Sequence, residues 1–299
     1  MVIRKPLRER VVAATRLKER RLKLNGTSTS ILEGGEGPPL VLLHGAGGYA
    51  AHWLRVLPEL VRTHHVVVPD LPGHGDSSIW PQAPDASLLS GWVDDLIECT
   101  CTSAAIMVGE TLGGAIAAIY ASGRGERLAR LVLVDALGLA DFRPAPEFGT
   151  ALHAYLSAPT AEVYDRLMSV CLFDLPTVAR EMGEAWRDIH AYNHDRALSP
   201  EHIAALQALM EQVGIPAIAP AALEAISVPT SLIWGREDRA TPLAVAERAS
   251  IRHGWPLQVI DGAGDLPSFE QPAAFLAALR SAIARRRGVN HRMDNPAPA

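Results

Sequence analysis

No apolar run in this 299-residue chain reaches the roughly 18 residues that a membrane-spanning helix requires, which excludes a transmembrane segment. Cysteine is scarce. Cys99, Cys101 and Cys171 make no even disulfide framework and have no metal-ligand spacing. A strong charge of one sign is also missing, and a net charge of -5 gives no footprint for nucleic acid. There is no phosphate loop, no dinucleotide fingerprint and no metal-ligand cluster, so neither a cofactor nor a metal is expected. The N-terminus lacks the apolar stretch of an export signal, and the expected compartment is the reducing cytoplasm. What is present is 48% hydrophobic and 20% charged residues, the balance of a globular chain with a sizeable core.

The first residues are rich in arginine and lysine, and Leu7, Val11, Ala14 and Leu17 recur at helical spacing. Residues 1–19 are therefore read as a basic amphipathic helical segment. It would pack on the body or on a second copy, making it or a lid a homodimer contact; the alternative is a membrane surface. Strand-like runs follow at 20–25, 28–33, 39–44, 65–69, 104–109, 129–135, 229–234 and 257–261, with helical stretches between them. That alternation predicts an α/β fold with a mostly parallel eight-stranded sheet and helices on both faces. The nearly all-apolar runs 39–44 and 104–109 suit central strands buried on both faces. Asn25-Gly26 predicts a tight hairpin turn. The alternation stops near Leu137 and resumes near Pro229. The expected division is a core at 20–137 and 226–286, an inserted helical lid at 138–225, and a flexible tail at 287–299.

Four segments fall at the C-terminal ends of these strands, where open α/β sheets bind ligands. They are His44-Gly45-Ala46-Gly47-Gly48, the stretch Asp70 to Ser77, the turn Gly109-Glu110-Thr111-Leu112-Gly113, and Trp234 to Pro242 followed by Gly262-Ala263-Gly264-Asp265. In order and together, they resemble the α/β-hydrolase family over about residues 20 to 285. That resemblance implies a nucleophile elbow, an acid and a histidine in that chain order. Here the nucleophile position is Thr111, the acid position is Asp238, and the histidine position holds Asp265. The backbone N–H groups of Ala46 and Leu112 would form the oxyanion hole, with His44, Gly45 and Gly47 completing the substrate-binding loop.

Both departures fall on the chemistry. Aspartate is a weaker base than histidine by about 2.6 pKa units, and it is shorter. A β-branched residue at the elbow is a steric outlier that costs on the order of 1–3 kcal/mol. An ordinary serine hydrolase is therefore not expected. Three functions stay open. One is an enzyme for a small carbonyl substrate that uses Asp265 and Asp238 as proton carriers, whether lyase, cyclase, hydratase or atypical hydrolase. The second is a hydrolase with Thr111 as nucleophile and an unrecognised base, for which the lid histidines His153, His190, His194 and His202 are candidates. The third is a ligand-binding protein without catalysis. Asp238 and Asp265 are expected close together with one carboxyl protonated, unless Arg236 or Arg239 pairs with Asp265. Glu110 is read as structural, Asp70 and His74 as fixing their loop, and Glu270 as a helix N-terminal charge.

Overall fold

The structure, a computed structural model, describes residues 5–158 and 160–285. Eight strands form one sheet: β1 (Lys18–Leu24), β2 (Thr27–Gly34), β3 (Pro39–Leu43), β4 (His65–Pro69), β5 (Ala105–Glu110), β6 (Leu128–Val134), β7 (Thr230–Gly235) and β8 (Leu257–Ile260). Their order is β1-β2-β4-β3-β5-β6-β7-β8. The pairs β1–β2 and β2–β4 are antiparallel, and all the others are parallel. The first hairpin closes through Asn25 and Gly26 at φ 41° and 81°, the two positive values a two-residue turn of this twist needs.

Alternation along the central strands sends side chains to two cores. Leu40 and Leu42 of β3 join one, with Leu7 and Val11 of the helix Lys5–Thr15 and Phe275 and Leu279 of the helix Pro272–Ala284. Val41 and Leu43 join the other, with Trp92 of the helix Ala86–Thr100 and Ile116 of the helix Leu112–Arg124. Burial on both faces is what the apolar run of β3 requires, and all five of its residues are buried.

Between β6 and β7 the described residues form helices and no strand. Pro146, Pro176, Pro200 and Pro220 each sit in a helix's first turn, where the missing N–H costs nothing. No helix among the described residues is long and apolar enough to cross a membrane.

The N-terminal helix differs from its reading. It stops at Thr15, because Arg16 turns left-handed at φ 60° and the chain enters β1 at Lys18. Its apolar face is already used within the chain, since Leu7 and Val11 are buried. Arg8 on the same helix is buried and donates to Asp70 at 2.8 Å. The helix therefore packs on the body of the chain, one of the packings expected for it, with Glu9, Arg10, Ala13 and Ala14 left exposed. The stretch read as a tail, 287–299, lies outside the described residues.

Candidate active site

Thr111 stands between β5 and the helix Leu112–Arg124 at φ 46° and ψ -107°. This is the strained elbow anticipated from the sequence, held by a β-branched residue. Glycine-only contacts surround it. A Cβ at Gly45 would lie 2.2 Å from Thr111 Oγ1, and one at Gly109 would lie 2.3 Å from the Gly113 carbonyl oxygen. Leu112 opens the helix, so its N–H has no partner within that helix. Neither the Leu112 N–H nor the Ala46 N–H is engaged by another group among the described residues.

The glycine loop is held from behind by two histidines. His44 Nδ1 bonds the Gly45 carbonyl at 2.8 Å, and its Nε2 accepts the Leu71 N–H at 3.0 Å. His74 Nε2 accepts the Gly47 N–H at 3.2 Å, with Nδ1 at 3.2 Å from the Pro72 carbonyl. Burial lowers both rings to about 3, so they stay neutral. His44 thus orients the backbone of the loop rather than lining the cavity, and the Gly47 N–H is engaged by His74. Asp70 fixes its loop by accepting from Arg8, Ala50 and Asp76 at 2.7 to 2.8 Å.

A cavity of about 140 Å³ opens over the elbow. Its polar floor includes Gly45, Ala46, His52, Glu110, Thr111 and Asp265, and its walls are Phe142, Phe148, Tyr155, Met168, Trp186 and Ile189 among others. Among the described residues, no lysine or arginine lines it. Asp238 lies behind this surface. Its Oδ1 accepts the N–H groups of Ala240 and Thr241 at 2.7 and 2.9 Å.

The acids form a buried cluster. Asp265 Oδ1 has no partner, and the Cys171 thiol lies beside the carboxyl group. Burial, then the negative fields of Asp238, Glu270 and Glu110, hold Asp265 well above the ordinary carboxylate range. Neither arginine reaches it: Arg236 pairs with Asp261, and Arg239 with Glu147 at 3.8 Å. Burial raises Asp238 to about 7 against the pull of its N–H donors. Asp135, at the end of β6 with φ 43°, accepts the Gly235 N–H on Oδ1 at 2.8 Å. Burial and then Asp238 hold Asp135 well above its usual range, and the field of Asp238 also reaches Asp265.

Two further acids are placed by the structure. Glu110 is buried, lines the cavity, and accepts from Ser268 Oγ at 2.9 Å. Burial pushes it up to about 8. Glu270 ends a short helix instead of starting one, because Pro267 opens it. Its carboxylate accepts the N–H groups of Gly264 and Phe173 at 2.6 and 2.5 Å, tying the β6–β7 segment to the loop after β8.

Sequence reasoning singled out Thr111, Asp265, Ala46 and Gly45, which share the cavity floor. It missed Asp135, whose position at a strand's C-terminal end was a usable signal, and His52 and Cys171, which carried none. His153, His190, His194 and His202 do not line the cavity. His190 pairs with Asp165 at 2.9 Å and His202 with Ser199 at 2.7 Å.

Residues 40–279 match the family model described as the alpha/beta hydrolase family, and the chain belongs to that family. It is 30% identical over 230 residues to 2-hydroxymuconate semialdehyde hydrolase of Pseudomonas sp. strain CF600, covering 73% of this chain and 76% of that one. It is 28% identical over 244 residues to 2-hydroxy-6-oxo-6-phenylhexa-2,4-dienoate hydrolase of Comamonas testosteroni, covering 78% and 79%. Among solved structures, the hydrolase of that same name from Rhodococcus sp. strain RHA1 superposes with a TM-score of 0.78 at 24% identity, covering 90% and 99%, which is a likeness of fold.

Proposed function

We propose that this chain is an enzyme that moves a proton next to the carbonyl of a small, uncharged, largely apolar substrate. The segment 138–225 serves as a lid that supplies the apolar walls. The substrate carbonyl oxygen sits on the N–H groups of Ala46 and Leu112, which stabilise negative charge as it develops there. The ionised form of Asp265 takes the α-proton and returns it to carbon, and burial makes that carboxylate a stronger base than an exposed one. Asp238 and Asp135 sit behind it, and burial disfavours charge on both. Those lyase, cyclase, hydratase and atypical hydrolase reactions that break or form a bond next to a carbonyl share such an enol or enolate.

The observation that carries this reading is Asp265 itself, which faces the cavity of Thr111 with one carboxyl oxygen unpartnered. Asp265 is a poor partner for making a threonine alkoxide, so acid–base chemistry ranks above acyl transfer. The relatives named above are hydrolases, two of them named for an anionic dienoate. Among the described residues this cavity has carboxyls and no lining lysine or arginine, Arg196 standing in the adjoining cavity beyond Gly47, Tyr155 and Asn193, and a neutral substrate fits the floor around Asp265. α-Proton exchange of acetophenone in deuterated buffer, followed by NMR, tests the proposal. Wild type should accelerate it, and Asp265→Asn should lower that rate about a hundredfold or more. Undiminished exchange in the variant rejects the role of Asp265. Ketone binding with no exchange rejects catalysis in favour of a carrier.

One observation favours a second reading. The elbow angle at Thr111 and the two unengaged N–H groups are the parts acyl transfer would use. A phosphonate serine-hydrolase probe separates the two readings. No label is expected on Thr111, and stoichiometric labelling there would establish it as the nucleophile.

A further inference from the structure

Three buried or partly buried histidine rings crowd the glycine loop, and they differ in one respect. Both nitrogens of His44 and both of His74 are hydrogen-bonded within the fold. His52, on the 3-10 turn Ala50–Arg55 that follows the loop, has neither nitrogen bonded among the described residues, and its Nε2 is fully buried. A buried ring nitrogen without a partner costs free energy unless something else fills the role. The ring lines the cavity. It is fixed on two sides, against Tyr49 at 4.8 Å and edge-on to Phe269 at 5.4 Å between centroids. It lies against the loop that carries the Ala46 N–H, for a Cβ at Gly48 would come 3.0 Å from both His52 Nδ1 and the Gly45 carbonyl oxygen.

We infer that His52 recognises a second uncharged oxygen on the substrate, a hydroxyl or carbonyl adjacent to the carbonyl held by Ala46 and Leu112. This rests on the reading of the cavity as a carbonyl site. Burial, and then the field of His74, lower the ring to about 3, so it meets the substrate neutral. With Nε2 fully buried, the nitrogen open to a ligand is Nδ1, which donates to a carbonyl or accepts from a hydroxyl according to the tautomer. With no lysine or arginine on the wall among the described residues, nothing else there favours a charged oxygen. The substrate class is therefore an apolar ketone with a neighbouring oxygen.

Two probe ligands of nearly equal size test this: acetophenone and its α-hydroxylated analogue. Calorimetric titration of wild type should show the hydroxylated ketone binding about fivefold tighter, the worth of one net neutral hydrogen bond. His52→Phe keeps a ring against Tyr49 and Phe269 and should bring that ratio to about one, while His52→Gln should keep about half of it. In 15N-labelled wild type, the hydroxylated ketone should shift the His52 ring resonances and acetophenone should not, a readout that holds if a variant fails to fold. A fivefold preference surviving in His52→Phe overturns the inference. So do equal affinities in wild type, or unmoved His52 resonances. If neither ketone binds wild type, the carbonyl-site reading falls first and takes this inference with it.

Discussion

Thr111 and Asp265 were legible as departures because glycines and strand ends fixed their places in the sequence. What those residues do was less legible, because it depends on neighbours that come from elsewhere in the chain. Cys171 comes from the β6–β7 segment, Glu110 from the residue before the elbow, and Asp135 from the end of β6. No local pattern marks a thiol that will meet a carboxyl ninety-four residues later in the chain. If the elbow is an intact acyl-transfer frame missing only its base, restoring the base should restore the activity. Thr111→Ser combined with Asp265→His should hydrolyse a simple aryl ester at least about tenfold faster than wild type, since a positioned general base contributes more than that. Asp238 remains in place to orient the new ring, and its two N–H donors hold it there. A folded double variant no faster than wild type would mean that the Ala46 and Leu112 N–H groups do not form a working pair. Asp135→Asn tests whether Asp135 positions its neighbours. The amide keeps a neutral polar group beside Asp238 that can still accept the Gly235 N–H, so this variant should retain at least about half the exchange activity of wild type, whereas Asp135→Leu leaves that N–H unpaired and should lower Asp265-dependent exchange. Equal exchange rates in the two variants would leave Asp135 without a positioning role.

Elements were read more securely than residues because periodicity averages over many side chains. All eight strands fall within two residues of their expected ends, and the alternation along β3 explains why one strand feeds two cores. The N-terminal helix was misjudged in length because nothing local announces the left-handed Arg16. Its basic character was also misjudged in kind. Arg8 is no surface charge but the buried partner of Asp70, the same carboxylate that holds the N–H groups of Ala50 and Asp76. The helix is thus bolted to the loop next to the glycine motif. Removing one partner of a buried ion pair strands the other in a dry site, so Arg8→Ala should destabilise the protein by about 3–5 kcal/mol in denaturant unfolding. The double change Arg8→Met with Asp70→Asn should cost less than Arg8→Ala alone, because no lone charge is left behind. A loss for Arg8→Ala below about 1 kcal/mol would show that the pair is solvated and the helix only loosely attached.

At the scale of the whole molecule, the site is an accumulation of ionisable groups held neutral. Burial raises Glu110 to about 8, Glu270 to about 7 and Asp238 to about 7. Burial lowers His44, His52 and His74 to about 3. The two sets pull stability in opposite directions with pH. An acid whose folded pKa is raised favours the fold while the unfolded chain is also protonated. That favour is lost as pH climbs from about 4, where the unfolded carboxyl ionises, to the folded value. A histidine whose folded pKa is lowered is no burden above about 6.5, and its cost grows as pH falls from there toward the folded value. Between about 4 and 6.5 the two effects oppose each other. Above about 6.5 the unfolded histidines are already neutral, so only the acids act. Stability should therefore fall as pH rises from about 6.5 to 8, with Glu110 alone contributing a slope of about 1.4 kcal/mol per pH unit. Glu110→Gln isolates that contribution. The amide oxygen can still accept from Ser268, no charge can form, and the slope should flatten by about that amount while stability at pH 8 rises. Chemical denaturation at three pH values across this window measures both slopes. A wild-type stability that is level or rising there, or a glutamine variant with an unchanged slope, would mean that Glu110 is ionised in the folded protein and that the cavity floor carries a fixed negative charge.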